Sequence, residues 1–147
     1  MQGCQTAPDT RSRPARRPSS SLGVTIMSTG AVGRPETFPC PRGLHIVLET
    51  AVDAVCPFTG APDSYDVEIE YVSRDACLEA LSLASWLESF RGVKISQEQL
   101  AHEIALTLKE LLKPEYVCVK LTGSHGRVGM VVERCEDTSP TEDMGPI

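Results

Sequence analysis

Apolar and polar positions alternate with different periods along the chain, and each change of period marks an element. Leu44, Ile46 and Leu48 alternate with His45, Val47 and Glu49, the period of a strand. The stretch Cys56-Pro57-Phe58-Thr59-Gly60-Ala61-Pro62-Asp63 follows, and its Pro and Gly spacing predicts a loop. Tyr65, Val67, Ile69 and Tyr71 then alternate with Asp66, Glu68 and Glu70 as a second strand. From Asp75 the period becomes helical. Leu78, Leu81, Leu83, Trp86, Leu87 and Phe90 form a stripe, with Asp75 as N-cap and Gly92 as the C′ residue. Ser96 opens a second helix in a capping-box pattern with Gln99; Leu100, Ile104, Leu108, Leu111 and Leu112 line it, and Pro114 closes it. Tyr116 to Leu121 reads as a third strand, Gly123-Ser124-His125-Gly126 as a turn, and Val128 to Glu133 as a fourth strand.

The order is ββααββ, an α+β domain: two hairpins forming a four-stranded antiparallel sheet with two helices on one face. The other face needs a cover that this chain does not supply, so oligomerisation is expected.

Composition sets the limits of that domain. The 147 residues are 41% hydrophobic but only 5% aromatic, so the core leans on aliphatic side chains. Residues 1–42, with six prolines and the Arg16-Arg17 and Ser19-Ser20-Ser21 runs, are expected to form a disordered leader. Its Met27 is a candidate true start. The domain is assigned to 43–135 and a flexible acidic tail to 136–147. No apolar run reaches the ~20 residues that span a bilayer, so no membrane partner is expected. The net charge of −6 divides into +4 over 1–43, −6 over 44–135 and −4 over the tail. An acidic body argues against gripping nucleic acid over the whole surface and leaves room for a local basic groove.

The six cysteines (4, 40, 56, 77, 118 and 135) form no C-x-x-C pair, and the three histidines are scattered, so no metal site is expected. With no secretory segment, the cysteines are expected to be reduced thiols of a cytoplasmic protein. Cys56, at a strand end before a rigid turn, suits a nucleophile, and Asp63 is its nearest proton donor or acceptor in sequence. The alternatives are a structural thiol and a carboxylate bonded to nearby amides.

The 56–63 stretch, Val67-Glu68-Ile69-Glu70-Tyr71, Glu88-Ser89-Phe90-Arg91 and Gln97-Glu98, in that order and spacing, resemble the 7-cyano-7-deazaguanine reductase family over most of 44–135. The resemblance implies the tunnelling fold, whose subunits join their sheets into barrels with ligand sites between neighbours, in oligomers such as decamers. It implies that Cys56 attacks a nitrile to form a thioimide, that Asp63 handles protons and that Glu98 holds the guanine-like edge. Gln97, Glu79 and Ser82 are expected beside the substrate.

Two departures redirect the expected activity. The reductases carry Glu-x-Lys-x-x-Lys for the NADPH phosphates, and this chain has Glu79-Ala80-Leu81-Ser82-Leu83-Ala84, with Leu81 and Leu83 suiting a buried face. Where the family usually has histidine beside the glutamate, this chain has Gln97. A branch without the lysines lets ammonia attack the thioimide, turning 7-cyano-7-deazaguanine in tRNA into the formamidine archaeosine. That reaction, with ammonia as co-substrate and no cofactor, is the leading expectation. Arg91, Lys94, Lys109, Lys113, Arg127 and the arginine-rich leader are the available phosphate contacts. NADPH-dependent nitrile reduction is the alternative, followed by a non-catalytic purine- or tRNA-binding relative. The related GTP cyclohydrolases need metal ligands that scattered histidines supply poorly. His125, between Ser124 and Gly126, could touch a ligand, but as a turn histidine it is expected to be exposed.

Overall fold

The computed structural model describes residues 33–138. Its elements are β1 (Thr37–Pro39), β2 (His45–Val55), β3 (Pro62–Val72), β4 (Ala76–Leu78), α1 (Ala80–Glu88), α2 (Gln97–Leu112), β5 (Tyr116–His125) and β6 (Val128–Asp137). The four long strands form one antiparallel sheet in the order β2-β3-β5-β6, and β1 pairs with β4 in a separate ribbon. The ββααββ expectation therefore lacks two short strands.

The long strands alternate, and the alternation decides where the helices lie. Tyr65, Val67, Ile69 and Tyr71 of β3 and Val117, Val119 and Leu121 of β5 are buried on one face. Leu100, Ile104, Leu108 and Leu112 of α2 and Trp86, Leu87 and Phe90 of the α1 region join them in one core. The other face is polar: cross-strand rows place Glu49, Glu68, Lys120 and Glu133 side by side, with Lys120 Nζ 3.4 Å from Glu68 Oε1. It is therefore not an apolar surface awaiting burial, which corrects the reason given for expecting a cover.

Several boundaries move. Asp75 does not cap a helix; β4 intervenes, and the N-cap of α1 is Glu79, whose carboxylate accepts from the amides of Leu81 and Ser82. Helix α1 ends at Glu88, before the positive-φ Gly92. Ser96 does cap α2, but Gln99 donates to Glu103 instead of completing the box. Strand β5 runs through Gly123 and Ser124 to His125, and β6 continues two residues into the expected tail.

The leader's last ten residues are ordered. Long-range partners hold them: Cys40 N donates to Asp75 O, Glu79 N to Glu36 O, and the fully buried Ser73 Oγ donates to Pro41 O while accepting from Leu44 N. Residues 1–32, with most of the expected leader, lie outside the described residues, as do 139–147 of the tail. Nor are all the cysteines thiols. Disulfides join Cys40 to Cys77 and Cys118 to Cys135, the latter pair directly opposite each other on β5 and β6. Cys56 is the one free cysteine among the described residues. No helix among them is long and apolar enough to cross a membrane.

Candidate functional site

Strand β2 delivers Cys56 to the start of a tight loop. Cys56 N donates to Ala61 O and Gly60 N to Cys56 O, a closure that places Gly60 at φ +79°. A residue with a Cβ is strained there, so glycine suits the position. The same loop is tied to the chain entering α2: Val55 N donates to Val93 O and Ile95 N to Val55 O. This short parallel bridge, Val55 to Lys94, brings the first turn of α2 alongside the cysteine.

The loop also tunes the thiol. Cys56 titrates below the ordinary thiol range, first because the Thr59 hydroxyl bonds its sulfur and then because the amides of Thr59 and Phe58 do so. Donors that bond the charged form favour the thiolate. Burial and the charge of Asp63 oppose that shift. Phe58 N lies 3.4 Å from the sulfur. A half-exposed thiol held in a cradle of donors is chemically suited to act as a nucleophile.

Asp63, in β3, has a side chain only 12% exposed, and its Oδ2 accepts from Tyr65 OH at 3.1 Å. Burial, then the charge of Asp63, pushes the Tyr65 phenol far above its ordinary range; Cys56 and Glu98 add smaller contributions. Tyr65 thus stays protonated and donates to Asp63. Its ring needs Gly123 beside it, because a Cβ there would meet Tyr65 Cδ1 at 2.5 Å.

The residues expected at the site separate into two groups. Asp63 bonds the Tyr65 hydroxyl, the charges of Cys56 and Glu98 also act on that phenol, and Glu98 stands exposed in the first turn of α2. Gln97 is 1% exposed and faces inward. Its Nε2 donates to Leu121 O at 2.9 Å and Met130 O at 3.1 Å, and its Oε1 meets His125 Nε2 at 2.8 Å. Gln97 thus holds His125 from within the core. Glu79 and Ser82 are engaged at the start of α1: Ser82 Oγ donates to Glu79 O and accepts from Glu36 N. Leu81 is 76% exposed, against the buried position expected for it, and Leu83 is buried.

His125 and Tyr65 are the side chains that sequence reasoning undervalued. His125 Nδ1 lies 3.9 Å from Asp63 Oδ1, and its ring sits 5.9 Å from that of Tyr65. The alternation of β3 announced Tyr65 only as core, and no local pattern linked His125 to residues 28 or more positions away in sequence.

Comparison with known proteins bears on this geometry. The family model described as QueF-like protein matches residues 62–141. The archaeosine synthase of Pyrobaculum calidifontis is 34% identical over 86 residues, which are 58% of this chain and 77% of that protein. An NADPH-dependent 7-cyano-7-deazaguanine reductase of Caldicellulosiruptor bescii is 38% identical over 83 residues, 56% of this chain and 63% of the reductase. The crystal structure of an archaeosine synthase QueF-Like in the apo form superposes with a TM-score of 0.61 at 28% identity, covering 65% of this chain and 94% of that one.

Proposed function

Because the chain belongs to the QueF-like protein family, whose relatives here act on a deazapurine nitrile, we propose that it is an archaeosine-forming amidinotransferase. Its substrate on this reading is 7-cyano-7-deazaguanine carried in tRNA, and ammonia is the second reactant. Cys56 Sγ adds to the nitrile carbon while the nitrile nitrogen takes a proton from Asp63, giving a thioimide. Ammonia then adds to that carbon, Sγ leaves, and a formamidine remains. Nitrile plus ammonia equals formamidine, so no oxidant or reductant is consumed. A nitrile carbon calls for a soft nucleophile, which the cradled thiolate supplies. Exposed in the first turn of α2, Glu98 suits the adjacent N–H donors of a guanine-like edge.

The observation that carries amidination over reduction lies on α1. The resemblance assigns NADPH phosphate contacts to lysines at positions 81 and 84. Both positions are exposed, where lysines are easily accommodated, and they hold Leu81 and Ala84. We take ammonia as the co-substrate and no resident cofactor for that reason.

For tRNA, two of the expected basic contacts suit the part best. Arg91 is engaged by Glu88 and Asp53, and Lys109 by Glu136. Lys94 and Arg127 are exposed, form no ion pair among the described residues, and flank the Cys56 loop and the His125 turn. Oligomerisation belongs to the same reading: β2 and β6 are long edge strands, and unpaired edges are suited to joining neighbouring subunits. A tRNA-borne substrate goes with the cytoplasmic location expected from the sequence.

Intact-protein mass spectrometry tests the reading. Mixed with 7-cyano-7-deazaguanine, or with tRNA carrying it, the protein is expected to gain one covalent adduct per chain. The Cys56→Ala variant is expected to gain none and to turn over on the order of 10³-fold or more slowly. Ammonium discharges the adduct to the formamidine. Discharge by NADPH alone would transfer the assignment to the reductase, and a bound but unmodified base would make the protein a binding relative.

A further inference from the structure

We infer that His125, fixed as its Nε2–H tautomer by Gln97, is the acid–base partner of Asp63. The inference rests on the reaction proposed above for its chemical role, and on geometry alone for its tautomer.

Hydrogen-bond accounting around Gln97 determines the tautomer. Its carboxamide nitrogen lies 2.9 Å and 3.1 Å from two backbone carbonyls, Leu121 O and Met130 O. Carbonyls only accept, so this end must be the NH2, with both hydrogens engaged. The other end is therefore oxygen, also an acceptor. His125 Nε2, 2.8 Å from it, must carry a hydrogen. In the neutral ring that leaves Nδ1 as the free base, and Nδ1 is the atom facing Asp63.

The carbonyls come from β5 and β6, so the hairpin that carries His125 also fixes the residue that orients it. Asp63 and Tyr65 face the ring from β3, Gln97 holds it from α2, and Arg127 follows it in the turn. The 3.9 Å from Nδ1 to Asp63 Oδ1 is longer than a hydrogen bond, and catalytic hydrogen bonds commonly tighten once a substrate is bound; the bare Nδ1 then accepts from the protonated Asp63 with which the reaction starts.

The chemistry needs such a base. Asp63 gives its proton to the nitrile nitrogen when the thioimide forms, and is left as a carboxylate. Ammonia adding to the thioimide carbon becomes an ammonium substituent and must lose a proton before the carbon–sulfur bond breaks. His125 Nδ1 accepts that proton, Cys56 leaves as thiolate, and the imidazolium returns the proton to Asp63. The cycle closes with the side chains as they began.

Two measurements decide the matter. Ring ¹⁵N spectra of the protein, with the signals assigned using His125→Gln, are expected to show Nε2 protonated and Nδ1 bare. Gln97→Leu should abolish that preference. A bare Nε2 in the wild type overturns the inference whatever the reaction proves to be. Second, the Cys56 adduct is preformed and its discharge by ammonium is followed against pH. The wild-type rate, corrected for free ammonia, is expected to rise with pH. His125→Gln should still reach one adduct per chain, but discharge it ~10²-fold more slowly and without that rise. An unchanged pH profile in the variant overturns the role of His125 while leaving Cys56 chemistry intact. Absence of any adduct in the wild type overturns the reaction, and with it the proton cycle.

Discussion

Among the described residues two polar side chains are buried with the apolar core, Ser73 and Gln97, and they do different work. Ser73, just after β3, bonds only to backbone: its hydroxyl donates to Pro41 O at 2.6 Å and accepts from Leu44 N at 3.0 Å. Both partners belong to the segment entering β2, so the result is a closed structural joint. Gln97 also binds backbone through its nitrogen, but its oxygen is directed to a side chain, His125, which faces Asp63. The difference teaches how to tell a buried polar group that holds a fold from one that holds a site. The first ends in the backbone, whereas the second continues toward titratable groups in a part-exposed cleft.

The largest separation between the two ends should come from Asp63→Asn. Asparagine keeps the size but cannot cycle a proton, so turnover is expected to fall by ~10²–10⁴-fold. Thermal unfolding should stay close to wild type. Normal turnover would confine Asp63 to the support of Tyr65.

At the Ser73 end, replacing Cys40 and Cys77 together by serine tests the joint. The disulfide spans 37 residues of sequence. Its loss is expected to cost about 4 kcal/mol on the chain-entropy account, read by denaturant unfolding, with activity retained below the transition. Thiol titration of the unreduced, denatured protein checks the premise. Of the five cysteines among the described residues only Cys56 should react.

Ser73→Ala and Gln97→Leu then compare the two ends directly. Each leaves buried backbone groups without partners, so each should lower stability by about 1–3 kcal/mol. Only Gln97→Leu should also slow turnover in the folded protein. Equal effects of both on activity would erase the distinction drawn above.

The smallest effect is expected at Thr59. Its hydroxyl is the first cause of the lowered Cys56 titration, and a donor to the thiolate favours the deprotonated form. Thr59→Val should therefore move the midpoint of the Cys56 alkylation rate to higher pH. A midpoint that does not move would leave the backbone amides as the whole cradle.

Much of this architecture was legible in the chain. The alternation in Tyr65–Tyr71 and Tyr116–Leu121 and the stripe from Leu100 to Leu112 depend on neighbours two to four residues apart, and the structure has strands and helix there. Ser96 as N-cap is likewise a local matter. The β1–β4 ribbon was not legible. Its strands are three residues long, β1 is exposed and ends in proline, and its order comes from partners such as Asp75, Cys77 and Glu79. The false helix start at Asp75 has the same origin, since Leu78 fits a helical stripe but is taken by β4. The polar face of the sheet was visible as alternating Glu and Asp, but its meaning depended on which strands lie side by side.

For the site, the sequence by itself picked out the candidate side chains, Cys56, Asp63 and the acidic residue that opens α2, because motif order and spacing are properties of the chain. Tertiary structure decided which groups meet. Sheet register set Gly123 under Tyr65, the Val55–Lys94 bridge set the first turn of α2 beside the Cys56 loop, and the β5–β6 carbonyls turned Gln97 inward to hold His125. Those contacts join residues remote in sequence, and their geometry follows from closing the core over the sheet, which no local pattern encodes.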